Sequence, residues 1–119
     1  MKGETLMTAV EKKVNDLAKV LIKAKAFAQK YENTEDGGTC NFDAPKIYLP
    51  GWSRKSVEMA CKKADMVCFD HKFFRNSERG WVICGGTSGQ GNRRSRMAEA
   101  MQRVIKANGY NCMMYYQCD

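Results

Sequence analysis

The residues best suited to chemistry lie in one run, Trp81-Val82-Ile83-Cys84-Gly85-Gly86-Thr87-Ser88-Gly89-Gln90-Gly91-Asn92-Arg93-Arg94-Ser95-Arg96. It passes from a β-rich stretch through a glycine-rich loop into a helical pattern. Glycines let backbone N–H groups approach an anion closely, and the open N–H groups and partial positive charge of a helix start complete such a site. Phosphate is the natural occupant. Two nucleotide fingerprints come near and fail. Gly86 to Gly91 has P-loop spacing, but Asn92 and Arg93 stand where Lys and Ser or Thr are required; Gly89-x-Gly91 lacks the third glycine of a dinucleotide fingerprint, where Arg94 stands.

With Asn92 as the cap, Arg93, Arg94 and Arg96 fall in the first helical turn, where the helix dipole disfavours cations by about 0.3–1 kcal/mol each. A bound phosphate or an acidic neighbour would offset that. The plainer alternative is solvent exposure, with Arg96, Glu99, Arg103 and Lys106 forming a polar stripe of helix pairs. That alternative suits Arg103 and Lys106 best. Phe69, Phe73, Phe74, Trp81, Tyr115 and Tyr116 supply rings nearby, and rings beside arginines can sandwich bases. Strand alternation puts Phe69, His71 and Phe73 on one face and Asp70, Lys72 and Phe74 on the other, so one of Phe73 and Phe74 is core and the other is available. The candidate ligand-binding residues are therefore Phe73, Phe74, Thr87, Gly89, Gly91, Asn92, Arg93, Arg94 and Arg96.

Catalysis has little support. Asp70 and His71, as strand neighbours, face opposite ways, and no G-x-S-x-G elbow or HExxH pair occurs. Cysteines at 40, 61, 68, 84, 112 and 118 form no C-x-x-C pair, and His71 is the one histidine to join them, so a zinc site is not expected. Nor is a cofactor. Cys61, Cys68, Cys84 and Cys112 sit within apolar patterns and read as small buried hydrophobes in a reducing compartment.

Elements must hold this run in place. Met7, Val10, Val14, Leu17, Leu21, Ala24, Ala28 and Tyr31 recur at three and four, predicting one long amphipathic helix. Val20, Ile22 and Phe27 widen its stripe, which serves equally to cover the chain's own core or to meet a second copy. Glu32 to Pro45 reads as a long polar connection. Lys46 to Leu49, bracketed by Pro45 and Pro50, reads as a short edge strand. Ser53 caps a helix with Val57, Ala60, Cys61 and Ala64 inward, closing near Asp65. Met66 to Arg75 and Trp81 to Gly86 form an antiparallel hairpin around residues 76–80. Met97, Met101, Val104 and Ile105 line a further helix stopped by Asn108-Gly109. Tyr110 to Gln117 is a nearly continuous apolar run, and a central strand is the simplest home for Cys112 to Tyr116. The whole, residues 1–119, is expected to be one α+β domain with a long N-terminal helix, two further helices and one mainly antiparallel sheet.

Composition agrees with that scale. The chain has 119 residues, 44% hydrophobic and 28% charged, too rich in apolar residues for disorder and too short of uninterrupted ones for a membrane helix. The Met1-Lys2-Gly3-Glu4 start has no apolar signal region behind it, so a cytoplasmic location is expected. Twenty basic against thirteen acidic residues give +7. Six of the seven arginines follow residue 60, which points to the second half as the docking place for an anionic partner.

The Gly85 to Gly91 loop, Asn92 and the arginines after it resemble the first family of anti-Thoeris phage proteins, with similarity over most of the chain and strongest from Met66 to Gln117. The resemblance implies a phage-encoded, non-enzymatic protein of the host cytoplasm. It would sequester intact glycocyclic ADP-ribose, the signal made by Toll/interleukin-receptor-type defence proteins, in pockets between subunits of a homodimer. Some members also resemble binders of cyclic di- or trinucleotides at a separate site in higher assemblies of dimers. Asn92, Gly91 and Arg93 are the positions that carry over; the other candidates above follow from chemistry. Neither a membrane nor a nucleic acid is a partner in this reading. Two other classes remain: a small basic nucleic-acid-binding module, whose affinity would fall steeply with salt, and an enzyme acting on a nucleotide or phosphosugar.

Overall fold

The computed structural model describes residues 8–31, 40–71, 80–85 and 91–118, with side chains at 8–31, 44–70, 80–85 and 96–114. Helix α1, Ala9–Ala28, starts on a reciprocal cap. The Thr8 N–H donates to Glu11 Oε1 at 2.9 Å and the Glu11 N–H to Thr8 Oγ1 at 3.1 Å, so two otherwise unpaired groups satisfy each other. A single 3-10 turn, Gln29–Tyr31, continues it. Val14, Leu17, Leu21, Ala24 and Ala28 are buried as their spacing predicts. They pack chiefly against the other two helices, so the stripe covers the chain's own core, and Val10 and Ile22 are left exposed.

After α1 the order is β1 Cys40–Tyr48, α2 Arg54–Lys63, β2 Val67–His71, β3 Gly80–Cys84, α3 Gly91–Ala107 and β4 Asn111–Cys118. The sheet runs β2-β3-β1-β4, with each neighbouring pair antiparallel. Each βαβ half thus has a strand of the other half inserted between or beside its own, the split βαβ arrangement, with α1 added in front. The expected α+β class and single antiparallel sheet are what the chain forms.

Two strand assignments change places. β1 begins at Cys40 and lies inside the sheet, so the polar segment up to Pro45 is partly strand and Lys46 to Leu49 is no edge strand. Its partners explain this: β1 pairs with β4 from Cys40↔Cys118 to Tyr48↔Asn111, and a full ladder of cross-strand hydrogen bonds outweighs weak local strand preference. The ladder to β3 covers only Lys46 and Ile47 and stops beside Pro45, which has no N–H to donate. β4, expected at the centre, is instead an edge.

Turns follow local chemistry more faithfully. Leu49-Pro50-Gly51-Trp52 closes with the Trp52 N–H on the Leu49 carbonyl at 3.1 Å, and Gly51 at φ +82° supplies the left-handed position of a type II turn. Ser53 caps α2, accepting from the Ser56 N–H at 3.1 Å. α2 ends in paired bonds from Met66 N–H to the Cys61 carbonyl and Asp65 N–H to that of Lys62, with Asp65 at φ 56° where glycine is commoner. α3 ends the same way at Gly109. The Tyr110 hydroxyl then donates to Asp16 of α1, and burial, helped by this short bond, holds the phenol well above its ordinary pKa. Among the described residues no helix is long and apolar enough to cross a membrane.

Candidate functional site

The glycine-rich run leaves β3 at Gly85, where φ is +111°. A Cβ there would lie 3.4 Å from Met66 Cα and 3.5 Å from the Asp65 carbonyl oxygen, so glycine allows the chain to pass close against the turn that ends α2. The run re-enters regular structure at Gly91, the first residue of α3. Asn92 therefore sits inside the first turn and is not the cap, with Arg93 and Arg94 in the same turn and no carboxylate among them. Two arginines at the positive end of a helix dipole, unrelieved by an acid in that turn, favour an anion nearby.

Arg96 does not join them. It lies in the second turn, its side chain is exposed, and its Nη1 is 3.5 Å from Glu99 Oε1 in an ordinary i,i+3 pair. The reason is that the helix starts at Gly91, two residues before the Arg93 that an Asn92 cap implies, which moves Arg96 past the first turn. Phe73, Phe74, Thr87 and Gly89 lie outside the described residues, and Gly91 to Arg94 are described by backbone alone.

The rings divide by face. Trp81 is buried in the core with the Arg54 guanidinium 5.2 Å from its ring centroid, while Arg54 Nη2 also reaches Asp70 at 3.5 Å. Phe69 is 38% exposed on the helix-free face. Asp70 pairs across the ladder with Trp81 and His71 with Gly80, successive register positions on opposite faces of the sheet. Arg103 departs from the polar stripe expected of it. Its Nη2 donates to the Tyr31 hydroxyl at 3.0 Å and its guanidinium lies 5.6 Å from the Phe27 ring centroid and 5.8 Å from that of Tyr31. No local signal links residues so far apart in sequence.

Two further features escaped the sequence. Lys46 is fully buried on the helix-free face of the sheet. Its ammonium lies 5.4 Å from the Tyr48 ring centroid, and burial lowers its pKa from the ordinary lysine value. The second is a cavity of about 390 Å³ between the end of α2 and the start of β2, lined by Glu58, Cys61, Lys62, Asp65, Met66, Val67 and Cys68. Its rim, Asp65 and Met66, is the surface against which Gly85 passes. Cys61 and Cys112 are buried as expected, but Cys68 and Cys84 are half-buried.

Fold and site together define a small α+β domain with a glycine-rich strand-to-helix connection, an arrangement that many unrelated functions share. No family model, no curated protein and no solved structure matches the chain.

Proposed function

We propose that this protein is a non-enzymatic binder of glycocyclic ADP-ribose, a phage-encoded anti-defence protein that sequesters the signal intact in the host cytoplasm and so inhibits Thoeris immunity. The observation that carries the reading is the start of α3, where Gly91, Asn92, Arg93 and Arg94 form a first turn without an acid directly after the glycine-rich segment. A ligand with a pyrophosphate and an adenine calls for backbone N–H groups, guanidinium groups and rings together. Gly91, Asn92 and Arg93 are also the positions at which the chain resembles the first anti-Thoeris family. Assembly as a homodimer, or as higher assemblies of dimers, with the ligand enclosed between subunits, belongs to the same proposal, as does a separate site for cyclic di- or trinucleotides.

The test is calorimetry with purified protein and glycocyclic ADP-ribose, followed by heat denaturation and mass analysis of the released molecule. The expected result is tight binding, recovery of unchanged ligand, and loss of binding in Asn92→Ala and Arg93→Ala with the circular dichroism spectrum preserved. Conversion of the ligand would make the protein an enzyme. Normal binding by both variants would move the site elsewhere.

One observation favours a second reading, a small basic nucleic-acid-binding module: Phe69 is exposed on the outer strand β2, on the face of the sheet that no described helix covers, and exposed rings on sheets are where RNA-binding domains stack bases. Affinity for single strands that falls steeply with salt, with no uptake of the cyclic nucleotide, would select it.

A further inference from the structure

We propose that Cys68 and Cys61 form a peroxide-reactive thiol pair at the α2–β2 cavity, with Cys68 as the nucleophile and Cys61 as the resolving thiol that closes a disulfide between strand and helix. Both line the same cavity of about 390 Å³, and neither is in a disulfide. They differ in access: Cys68 is half-buried, whereas Cys61 is 1% exposed. A peroxide entering the cavity therefore meets Cys68 first.

Register decides which thiol can resolve. Cys68 pairs with Ile83, a core residue, and so shares the helix-covered face with α2 and Cys61. Cys84 pairs with Val67, which is 65% exposed, and so belongs to the opposite face. Cys68 and Cys84 are close in the sheet but separated by it. Cys112 is buried on β4, on the far side of β1 and β3.

The chemistry of the pair is polarised in the direction this assignment needs. The neighbouring Cys61 thiol holds the Cys68 pKa below the ordinary value against the opposing effect of burial, and the Cys68 sulfur together with burial pushes Cys61 up. The thiolate is the form that attacks. Cys68 thiolate attacks one oxygen of a hydroperoxide, an S–O bond forms as the O–O bond breaks, and the departing oxygen takes a proton to leave as water or an alcohol. Cys61 sulfur then attacks the sulfenic sulfur of Cys68, the S–S bond forms as the S–O bond breaks, and the departing hydroxide takes the Cys61 proton. Two thiols and one hydroperoxide give one disulfide, water and the reduced peroxide.

The experiment treats the reduced full chain with hydrogen peroxide and maps its cysteines by mass spectrometry at successive times. The expected result is a loss of about 2 Da located in a linkage of Cys61 to Cys68, formed at least about tenfold faster than any change at Cys84 or Cys112. Cys61→Ser should instead accumulate a dimedone-trapped sulfenic acid at Cys68, and Cys68→Ser should lose the fast reaction. The time course on the unmutated chain stands whether or not those variants fold. The proposal is overturned if Cys68 reacts no faster than Cys84, or if the first linkage joins Cys40 to Cys118, which the β1–β4 register also sets opposite one another.

Discussion

The two faces of the sheet bury their residues by different means. On the covered face, Ile47, Trp81, Ile83 and Cys112 meet the apolar sides of the helices in one continuous core. On the other, Val67, Phe69 and Met113, all on the outer strands, are substantially exposed, while Ala44, Lys46 and Val82 on the central strands are buried. Hydrophobicity decides burial on the first face. On the second, burial follows the strand, central or outer, and not hydrophobicity, to the point that a lysine is buried and a valine is not.

That contrast is sharpest at Gly80. A Cβ there would lie 2.2 Å from Lys46 Cε and 2.8 Å from its Cγ, so the lysine stem runs directly over the glycine. The absence of a side chain on β3 makes room for one on β1.

Substitutions can break this comparison or refine it. Ile83→Ala, on the covered face, should show the largest effect, a loss of about 2–5 kcal/mol in urea unfolding, because its methyl groups are surrounded by core atoms that cannot all close in. Gly80→Ala should cost about 1–3 kcal/mol, since the buried Lys46 stem must shift to admit a methyl group. A cost near zero would mean that the lysine is loosely held and that the two faces differ less than their burial suggests.

The smallest expected effect is on pH dependence. Burial places the Lys46 pKa below its unfolded value of about 10.4, so between the two values the unfolded chain binds more protons and stability rises with pH. Below the folded pKa the cost of the buried charge is present in full; it is relieved as pH climbs toward the unfolded value. Urea midpoints measured upward from pH 7 should therefore contain a rising contribution that Lys46→Met removes. An identical slope in wild type and variant would show that the ammonium is solvated.

The elements that flank the candidate site are legible in the sequence, and the reasons are local. The glycine run, the strand before it and the helix after it each announce themselves within a few residues, but α3 starts two positions before the Arg93 that an Asn92 cap implies. The earlier start leaves Arg96 in the second turn, paired with Glu99. The Thr8-Ala9-Val10-Glu11 cap was equally local but was overlooked in favour of the stripe beginning at Met7. Arg103 with Phe27 and Tyr31, and Cys61 facing Cys68, were not legible at all. The first joins residues more than seventy positions apart, and the second depends on α2 and β2 folding back to face each other across a turn at Asp65.

By itself, the sequence determined the helices, the hairpin and the turns, because periodicity, capping residues and backbone conformations act over a few neighbours. Strand order is different. β1, polar at its start and holding Pro45, lies inside the sheet, and β4, with the most continuous apolar run, lies at its edge. Each strand's composition suggested the reverse. The tertiary structure decided it because a strand's place depends on which other strands offer it a ladder and how the intervening helices must cross, and neither is a property of the strand's own residues.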